Sequence, residues 1–143
     1  MEKLVLEYKM TFNRVYRFTS AHRLHSDHLS EQQNLDIYDK CNNFNGHGHD
    51  YIVEVAVHGS PDTTTGMIIP LEEFDDKVHS VINRLDYKHL NYEVDFFKQN
   101  LSTGEIIIQY LWDALDKVFA PGMLYHLKLW ETNNNYFELG VQV

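Results

Sequence analysis

The stretch Cys41–Val57 decides the fold most clearly, and its sequence is CNNFNGHGHDYIVEVAV. Its second part, Asp50–Val57, is typical of a β-strand because apolar and β-branched side chains recur there. Side chains two positions apart on a strand point to the same face, so His47 and His49 should project together. Gly48 between them allows another backbone or a ligand to come close. The pattern predicts a strand that begins with a pair of imidazoles on one face.

A third histidine follows an earlier strand-like segment. Phe12–Thr19 is expected to form a strand, and His22 lies just beyond it. Zinc prefers tetrahedral nitrogen or sulfur donors, and a catalytic zinc site usually takes three protein ligands. His22, His47 and His49 would supply three from two paired strands and leave one position for water or substrate. Of the other histidines among the nine, most are expected in loops or at element ends, and His89 is left open.

The composition indicates one ordered domain over residues 1–143, with residues 1–10 as an extension or the lead-in to the first strand. Twelve basic and twenty-one acidic residues give 12 − 21 = −9, which argues against non-specific binding of nucleic acid. An anionic substrate is still compatible with local clusters of Arg and Lys. No apolar run approaches the roughly 20 residues of a membrane helix, so no membrane partner is expected.

Cys41 is the single cysteine of the chain. A single cysteine cannot form a disulfide within the chain, which is typical of proteins in a reducing compartment. The first ten residues also lack a signal-peptide pattern, so a cytoplasmic location is expected. Beside paired histidines, a lone cysteine is a candidate nucleophile or base. A small buried filler is the alternative interpretation.

The remaining chain predicts helices flanked by strands. One helix should start at Pro70 and end near Leu85, and a second should be capped by Ser102 or Thr103 and end before Pro121. The polar stretch before His47 could hold a short helical turn at Glu31–Tyr38. Two closing strands are expected at 124–131 and 136–143, and residues 86–92 should be irregular. This order predicts an α+β fold with a four-stranded antiparallel sheet covered on one face, whose open edges favour assembly.

Several short motifs together resemble the 6-pyruvoyltetrahydropterin synthase family. The resemblance runs from about Phe12 to the C-terminus, so it covers nearly the whole chain. The motifs that carry it are Ser20–Leu24, Lys40–Asn43, Asn45–His49, Gly66-Met67, Leu85-Asp86, Ser102-Thr103 with Glu105, and Glu131-Thr132 with Asn134 and Asn135.

The resemblance implies a T-fold in which three subunits close a barrel and two barrels stack into a homohexamer. It implies zinc on His22, His47 and His49. The substrate would be 7,8-dihydroneopterin triphosphate, and the products would be 6-pyruvoyltetrahydropterin and triphosphate.

The resemblance also implies roles for individual residues. Cys41 would be the catalytic base, Asp86 would belong to a proton relay from a neighbouring subunit, and Glu131 would anchor the pterin ring. Thr103 and Glu105 would line the pterin site, although Glu105 could equally be a charge that favours the helix N-terminus. Candidates for the triphosphate are Arg23, Lys40 and Lys88, each of which could instead be a solvated surface charge.

The chain departs from the family pattern at Tyr87, where the family usually has the relay histidine. His89 lies two residues on, and we hypothesise that it takes the relay role with Asp86 as its partner. Pro70 replaces a polar residue before the first helix, and Gly104 stands where a second Thr is common.

Two alternative functions follow from the sequence. One is 6-carboxytetrahydropterin synthase, a sister enzyme of the queuosine pathway that acts on the same substrate. Five residues separate Cys41 from His47, whereas the sister enzyme typically has fewer, and this favours the pyruvoyl enzyme. The other alternative is a pterin-binding homologue without turnover, which Tyr87 suggests.

Overall fold

Two twelve-residue strands form the centre of the computed structural model, which describes residues 10–141. They are β1 (Thr11–His22) and β2 (His47–His58), and they pair antiparallel along their whole length. Both strands continue to the histidines that the sequence placed at or beyond their ends. Of the predicted N-terminal extension, only Met10 lies inside the described residues.

Within residues 10–141 the sheet has five strands, in the order β3-β1-β2-β4-β5. Strands β4 (Leu124–Trp130) and β5 (Tyr136–Gly140) are antiparallel to their neighbours, whereas β3 (Lys88–His89) runs parallel to β1. The α+β class is confirmed, but the prediction of a four-stranded, wholly antiparallel sheet was wrong. The sheet is mixed because the chain after the first long helix returns to the free edge of β1.

Hydrogen bonds around Tyr87 explain how this short strand forms. Tyr87 has a positive φ of 57°, and this left-handed conformation turns the chain beside β1. Its backbone N–H donates to the Thr19 carbonyl at 2.7 Å, while the Thr19 N–H donates to Asp86 Oδ1 at 2.9 Å. The Ser20 hydroxyl donates to the Leu85 carbonyl at 2.5 Å. A strand of two residues has no periodicity, so the sequence pattern could not predict it.

Two long amphipathic helices, α2 (Leu71–Ile82) and α5 (Gly104–Val118), are the pair that the sequence predicted. Pro70 precedes α2 and provides no side-chain cap, and the helix ends three residues before the expected Leu85. Thr103 caps α5 by accepting a hydrogen bond from the Ile106 N–H, as expected.

Three shorter helices lie in the connections. Helix α1 (Glu31–Tyr38) confirms the predicted helical turn, and a 3₁₀ turn at Asp39–Asn42 follows it. Helices α3 (Leu90–Glu93) and α4 (Asp95–Gln99) were not predicted. Each is too short to show a helical repeat of apolar side chains.

The apolar core lies between one face of the sheet and the two long helices. Fully buried side chains from both layers meet there, among them Val53, Val55, Val57, Leu127, Leu129, Phe74, Val78, Leu111 and Leu115. Burial of one such side chain stabilises the fold by roughly 1.5–3 kcal/mol. The same face of the sheet continues past this core to His22 and His47. The core therefore holds in place the two strands that carry these histidines. Within residues 10–141, no helix is long and apolar enough to cross a membrane.

Candidate metal centre

Three histidines meet where β1 ends and β2 begins. The strand register places His22 directly opposite His47 and places His49 one pair further along the same face. The Nε2 atoms of His22 and His47 are 3.0 Å apart, and one nitrogen from each of the three rings lies within 4.8 Å of the others. The structure therefore brings together the three residues that the sequence predicted as ligands.

A backbone carbonyl fixes the orientation of the His22 ring. His22 Nδ1 lies 2.7 Å from the Ser102 carbonyl oxygen, which can only accept, so Nδ1 carries the proton and Nε2 holds the free lone pair. Burial is the main cause that lowers the pKa of His22 from 6.5 to about 4, and His47 and His49 lower it further. Burial likewise lowers the pKa of His47. Both rings are therefore neutral at pH 7, as metal ligands must be.

Buried polar atoms without a partner indicate what the centre is suited to bind. His47 Nδ1 and His49 Nε2 are buried and have no hydrogen-bond partner among the described residues. Such atoms are costly unless a ligand or water satisfies them. Tetrahedral zinc with Zn–N bonds of 2.0–2.1 Å holds its nitrogens roughly 3.3 Å apart. The Nε2 atoms of His22 and His47 are 3.0 Å apart, which is close to that value, so the residues present fit a zinc ion.

A glycine keeps space beside the triad. Gly46 has a φ of +78°, and a Cβ there would lie 2.8 Å from the His22 carbonyl oxygen and 2.9 Å from His89 Nε2. Both the backbone conformation and the close approach therefore require glycine. This residue allows the chain to turn tightly between the 3₁₀ segment and β2.

Cys41 lies on the 3₁₀ turn, half-buried, and its carbonyl oxygen accepts a hydrogen bond from Leu24 N at 2.9 Å. Burial raises the pKa of the thiol, and the carboxylates of Glu131 and Asp39 raise it further. The carboxylate of Glu131, 90 positions away in the sequence, therefore acts electrostatically on the Cys41 thiol.

Glu131 follows β4, and its carboxylate accepts a hydrogen bond from Asn135 Nδ2 at 3.5 Å. The backbone N–H of Glu131 donates to the Asn135 carbonyl at 3.3 Å, which closes the turn between β4 and β5. The pair formed by Ile52 and Trp130 is the last one between β2 and β4, and Glu131 follows it directly. Glu131 therefore lies at the same end of the sheet as the three histidines.

Tyr51 is a residue of the site that sequence reasoning missed. Its side chain is fully buried and its ring stacks on Phe18, with centroids 4.8 Å apart and planes 8° from parallel. Its hydroxyl has no hydrogen-bond partner among the described residues. Burial raises the pKa of Tyr51, and Glu131 and Cys41 raise it further. In the sequence this tyrosine shows only the β-propensity of a core strand residue, which gives no functional signal.

The N-terminus of α5 meets the centre through Ser102. Its carbonyl holds the His22 ring, as described above, and its hydroxyl accepts a hydrogen bond from Asn91 Nδ2 at 3.2 Å. Thr103 and Glu105 follow directly, Thr103 as the helix cap and Glu105 as an exposed charge in the first turn. The sequence could not predict the hydrogen bond between Ser102 and His22, because Ser102 makes it with its backbone carbonyl and any residue type has that group.

His89 and Tyr87 are in different environments. Both ring nitrogens of His89 are buried without a partner in the described part of the chain, and its ring packs on Tyr92 at 4.3 Å. His89 lies near the end of β1, because a Cβ at Gly46 would contact both the His22 carbonyl oxygen at 2.8 Å and His89 Nε2 at 2.9 Å. Tyr87 is 84% exposed. Asp86 bonds to Thr19, as described above, and within residues 10–141 no hydrogen bond joins it to His89.

The three candidate cations for a triphosphate differ in their surroundings, although Arg23 and Lys40 line one cavity together. Arg23 Nε donates to the Asn42 carbonyl at 3.0 Å, and its guanidinium lies 5.4 Å from the ring centroid of Phe44. Lys40 is exposed on the 3₁₀ turn, and Lys88 is exposed on β3. Of the three, Arg23 directly follows the triad histidine His22 in the sequence.

An α+β fold with three convergent histidines, a thiol and a carboxylate is characteristic of a metal-dependent enzyme of small-molecule chemistry. Comparison with known proteins defines the family. The sequence profile described as 6-pyruvoyl tetrahydropterin synthase matches residues 11–141, and the chain belongs to that family.

Individual relatives agree with the family assignment. The chain is 44% identical over 119 residues to the 6-pyruvoyl tetrahydrobiopterin synthase of Homo sapiens, with 82% of each chain covered. It is 42% identical over 120 residues to the enzyme of Drosophila melanogaster, covering 82% of this chain and 71% of that one. The solved structure of Caenorhabditis elegans 6-pyruvoyl tetrahydropterin synthase superposes with a TM-score of 0.90 at 37% identity, covering 94% and 97% of the two chains.

Proposed function

We propose that the protein is a zinc-dependent 6-pyruvoyltetrahydropterin synthase, a carbon–oxygen lyase that converts 7,8-dihydroneopterin triphosphate to 6-pyruvoyltetrahydropterin and triphosphate. The observation that carries the proposal is the convergence of His22, His47 and His49 at the ends of two paired strands. The 44% identity to the human enzyme supports the same activity.

Zinc, when bound by the three histidines, would supply Lewis-acid polarisation of the substrate's side-chain hydroxyl groups and of the adjacent C–H bonds. Cys41 would then remove a proton from the side chain as the general base. In the metal-free chain, burial and two carboxylates hold the pKa of this thiol above its usual range. A nearby cation lowers the pKa of a thiol. Cys41 would therefore be a better base when the histidines hold zinc.

Glu131 would anchor the pterin. A carboxylate accepts two hydrogen bonds from the guanidine-like edge of the ring, and the turn closed by Asn135 holds this one at the edge of the centre. Thr103 and Glu105 would line the same site from the start of α5. Their position beside Ser102, which holds His22, supports this role.

His89 would carry the relay proton, since imidazole titrates near neutral pH and an unperturbed tyrosine does not. Its buried, unpartnered ring nitrogens near His22 support the assignment, and the exposure of Tyr87 disfavours a role within the same chain. Asp86 is proposed as the relay carboxylate, acting across a contact between subunits.

Arg23 is the proposed main contact of the triphosphate, with Lys40 and Lys88 at the periphery. A cavity of about 540 Å³ opens beside Arg23 and is lined in part by His28, Asn91 and Lys98. Its lining is mostly polar and partly basic, which suits a polyanion.

We further propose that the subunits form a T-fold homohexamer in the cytoplasm, with three sheets closing each barrel. Strands β3 and β5 are the edges of the sheet in the single chain, and β3 pairs with only two residues of β1. Open edges of this kind are normally paired or covered, and closure of a barrel removes them. Light scattering at micromolar concentration should return six chains, and a monomer would contradict the assembly.

Incubation of zinc-loaded protein with 7,8-dihydroneopterin triphosphate, followed by mass spectrometry, tests the proposed reaction. We expect 6-pyruvoyltetrahydropterin together with triphosphate. Release of acetaldehyde with a 6-carboxytetrahydropterin would instead identify the sister enzyme of the queuosine pathway. Retained binding of zinc and pterin without any product would identify a homologue that lacks turnover.

A further inference from the structure

The Tyr51 hydroxyl is a buried donor that the proposed mechanism does not use. The next residue, Ile52, pairs with Trp130, so Tyr51 and Glu131 each lie one residue beyond that last pair at the same end of the sheet. The ring is also near the triad, with its centroid 5.5 Å from that of His49 and 6.4 Å from that of His22. A phenol buried without a partner destabilises a folded chain, so its retention at this point calls for a ligand.

The position of this hydroxyl is fixed by packing. The parallel stack on Phe18 and the edge contacts with His22 and His49 confine the ring on three sides. The oxygen lies on the axis about which a tyrosine ring flips, so a flip leaves the oxygen in place. A donor held in this way can select one acceptor atom of a ligand without loss of side-chain entropy.

We propose that Tyr51 is a substrate-binding residue whose hydroxyl donates a hydrogen bond to a ring nitrogen or carbonyl oxygen in the middle of the pterin. This inference rests on the proposed function, in which Glu131 holds one edge of the pterin and the metal centre holds its side chain. The only part of the substrate that spans these two groups is the ring system between them. On the protein, Tyr51 contacts two triad histidines and lies at the end of the sheet where Glu131 follows β4.

A purely structural tyrosine has a different pattern of contacts, and the neighbouring strand provides one for comparison. Tyr16 is 7% exposed on the same face, and its hydroxyl donates to Asp75 Oδ1 at 2.5 Å. Asp75 also accepts from Arg14 Nε at 2.9 Å, so that network is complete without any ligand. Tyr16→Phe is therefore a matched control for Tyr51→Phe, since each substitution removes one buried hydroxyl from the same face.

The experiment measures two quantities on zinc-loaded wild type, Tyr51→Phe and Tyr16→Phe. The first is the affinity for 7,8-dihydroneopterin, which lacks the triphosphate leaving group, by isothermal titration calorimetry. The second is the melting temperature without pterin. For Tyr51→Phe we expect roughly tenfold weaker binding and an unchanged or higher melting temperature, because an unpartnered hydroxyl is removed. For Tyr16→Phe we expect unchanged binding and a lower melting temperature.

Equal affinity of wild type and Tyr51→Phe would overturn the assignment and leave the proposed function intact. A fall in both affinity and melting temperature, with a thermal loss as large as that of Tyr16→Phe, would show a structural role and would also overturn it. A wild-type protein that bound no pterin would refute the proposed function, and this assignment with it.

Discussion

The helix-covered face of the sheet has two halves that differ in how their polar atoms are satisfied. In the packed half, around Val53–Val57, side chains are apolar or, like Tyr16, have complete hydrogen bonds. In the site half, around His47–Tyr51, atoms of His47, His49 and Tyr51 are buried without a partner among the described residues. Every unpartnered buried side-chain atom found within residues 10–141 belongs to His47, His49, Tyr51 or His89.

The difference shows where the fold gives up stability for binding. Natural structures leave few buried polar groups unsatisfied, and each one costs roughly 1–3 kcal/mol. Their concentration around the triad is therefore not a general property of the packing. The packed half holds the strands in register, and that register places the histidines opposite one another.

Replacement of Cys41 should have the largest effect on turnover in the site half. Cys41→Ala removes the proposed base, and we expect kcat to fall by a factor on the order of 10²–10⁴. Binding of zinc and of dihydroneopterin should persist, because the triad and Glu131 are unchanged. Steady-state kinetics with metal analysis would check this. A near-normal kcat would mean that Cys41 is a packing residue and that another group is the base.

The relay hypothesis gives a paired prediction for His89 and Tyr87. His89→Ala should lower kcat by roughly a hundredfold, at the lower end of the range for general acid–base groups. Tyr87→Phe keeps the exposed ring and should change kcat little. If the two effects were reversed, the relay role would belong to the Tyr87 hydroxyl. If neither variant changed kcat, water or Asp86 would carry the proton.

The neutral histidines predict a pH dependence for the metal-free protein. The pKa of His22 is about 4 in the folded chain and 6.5 in the absence of burial. As pH falls from about 6.5 to 4, the unfolded chain binds a proton that the folded chain does not. Folding stability therefore decreases across this window, by on the order of 3 kcal/mol from His22. His47 shifts in the same direction.

Urea unfolding of metal-free wild type and His22→Gln at pH 7.5, 6 and 4.5 would measure this dependence. The variant lacks the ionisable ring, so its stability should fall less steeply with acid. Identical slopes for the two proteins would show that His22 is not held neutral by folding.

The helix cap next to the site should have a smaller effect. Thr103→Ala removes the oxygen that accepts from Ile106 N and should lower the free energy of unfolding by about 1 kcal/mol. Thr103→Ser keeps that oxygen and serves as the control. If dihydroneopterin affinity also falls in the Ala variant but not in Ser, the Thr103 hydroxyl contacts the pterin as well. Equal stability of all three proteins would contradict the capping role.

The sequence predicted those parts of the site that follow from a local period. His47 and His49 are two apart on a strand, and His22 ends the strand that pairs with it, so strand geometry alone predicted the triad. Periodicity likewise predicted α2 and α5, whose apolar stripes are long enough to be read. The electrostatic effect of Glu131 on Cys41 depends on tertiary structure, and only the family resemblance linked the two residues beforehand.

Other features leave no local pattern. Strand β3 has two residues and forms because Tyr87 and Asp86 bond to Thr19, which no repeat in the sequence shows. The Ser102 carbonyl orients His22 through the backbone. Tyr51 differs from Tyr16 only in lacking a partner, and this difference exists only once the strands and helices have packed.

The most direct test of the account is whether the site half binds zinc through His22, His47 and His49. Zinc content and melting temperature would be measured for wild type, His47→Ala, His49→Ala and the control His126→Ala, since His126 pairs with Glu138 outside the triad. We expect about one zinc per chain and a zinc-dependent rise in melting temperature for wild type and His126→Ala, and neither for the two triad variants. Undiminished zinc in His47→Ala and His49→Ala would contradict the account.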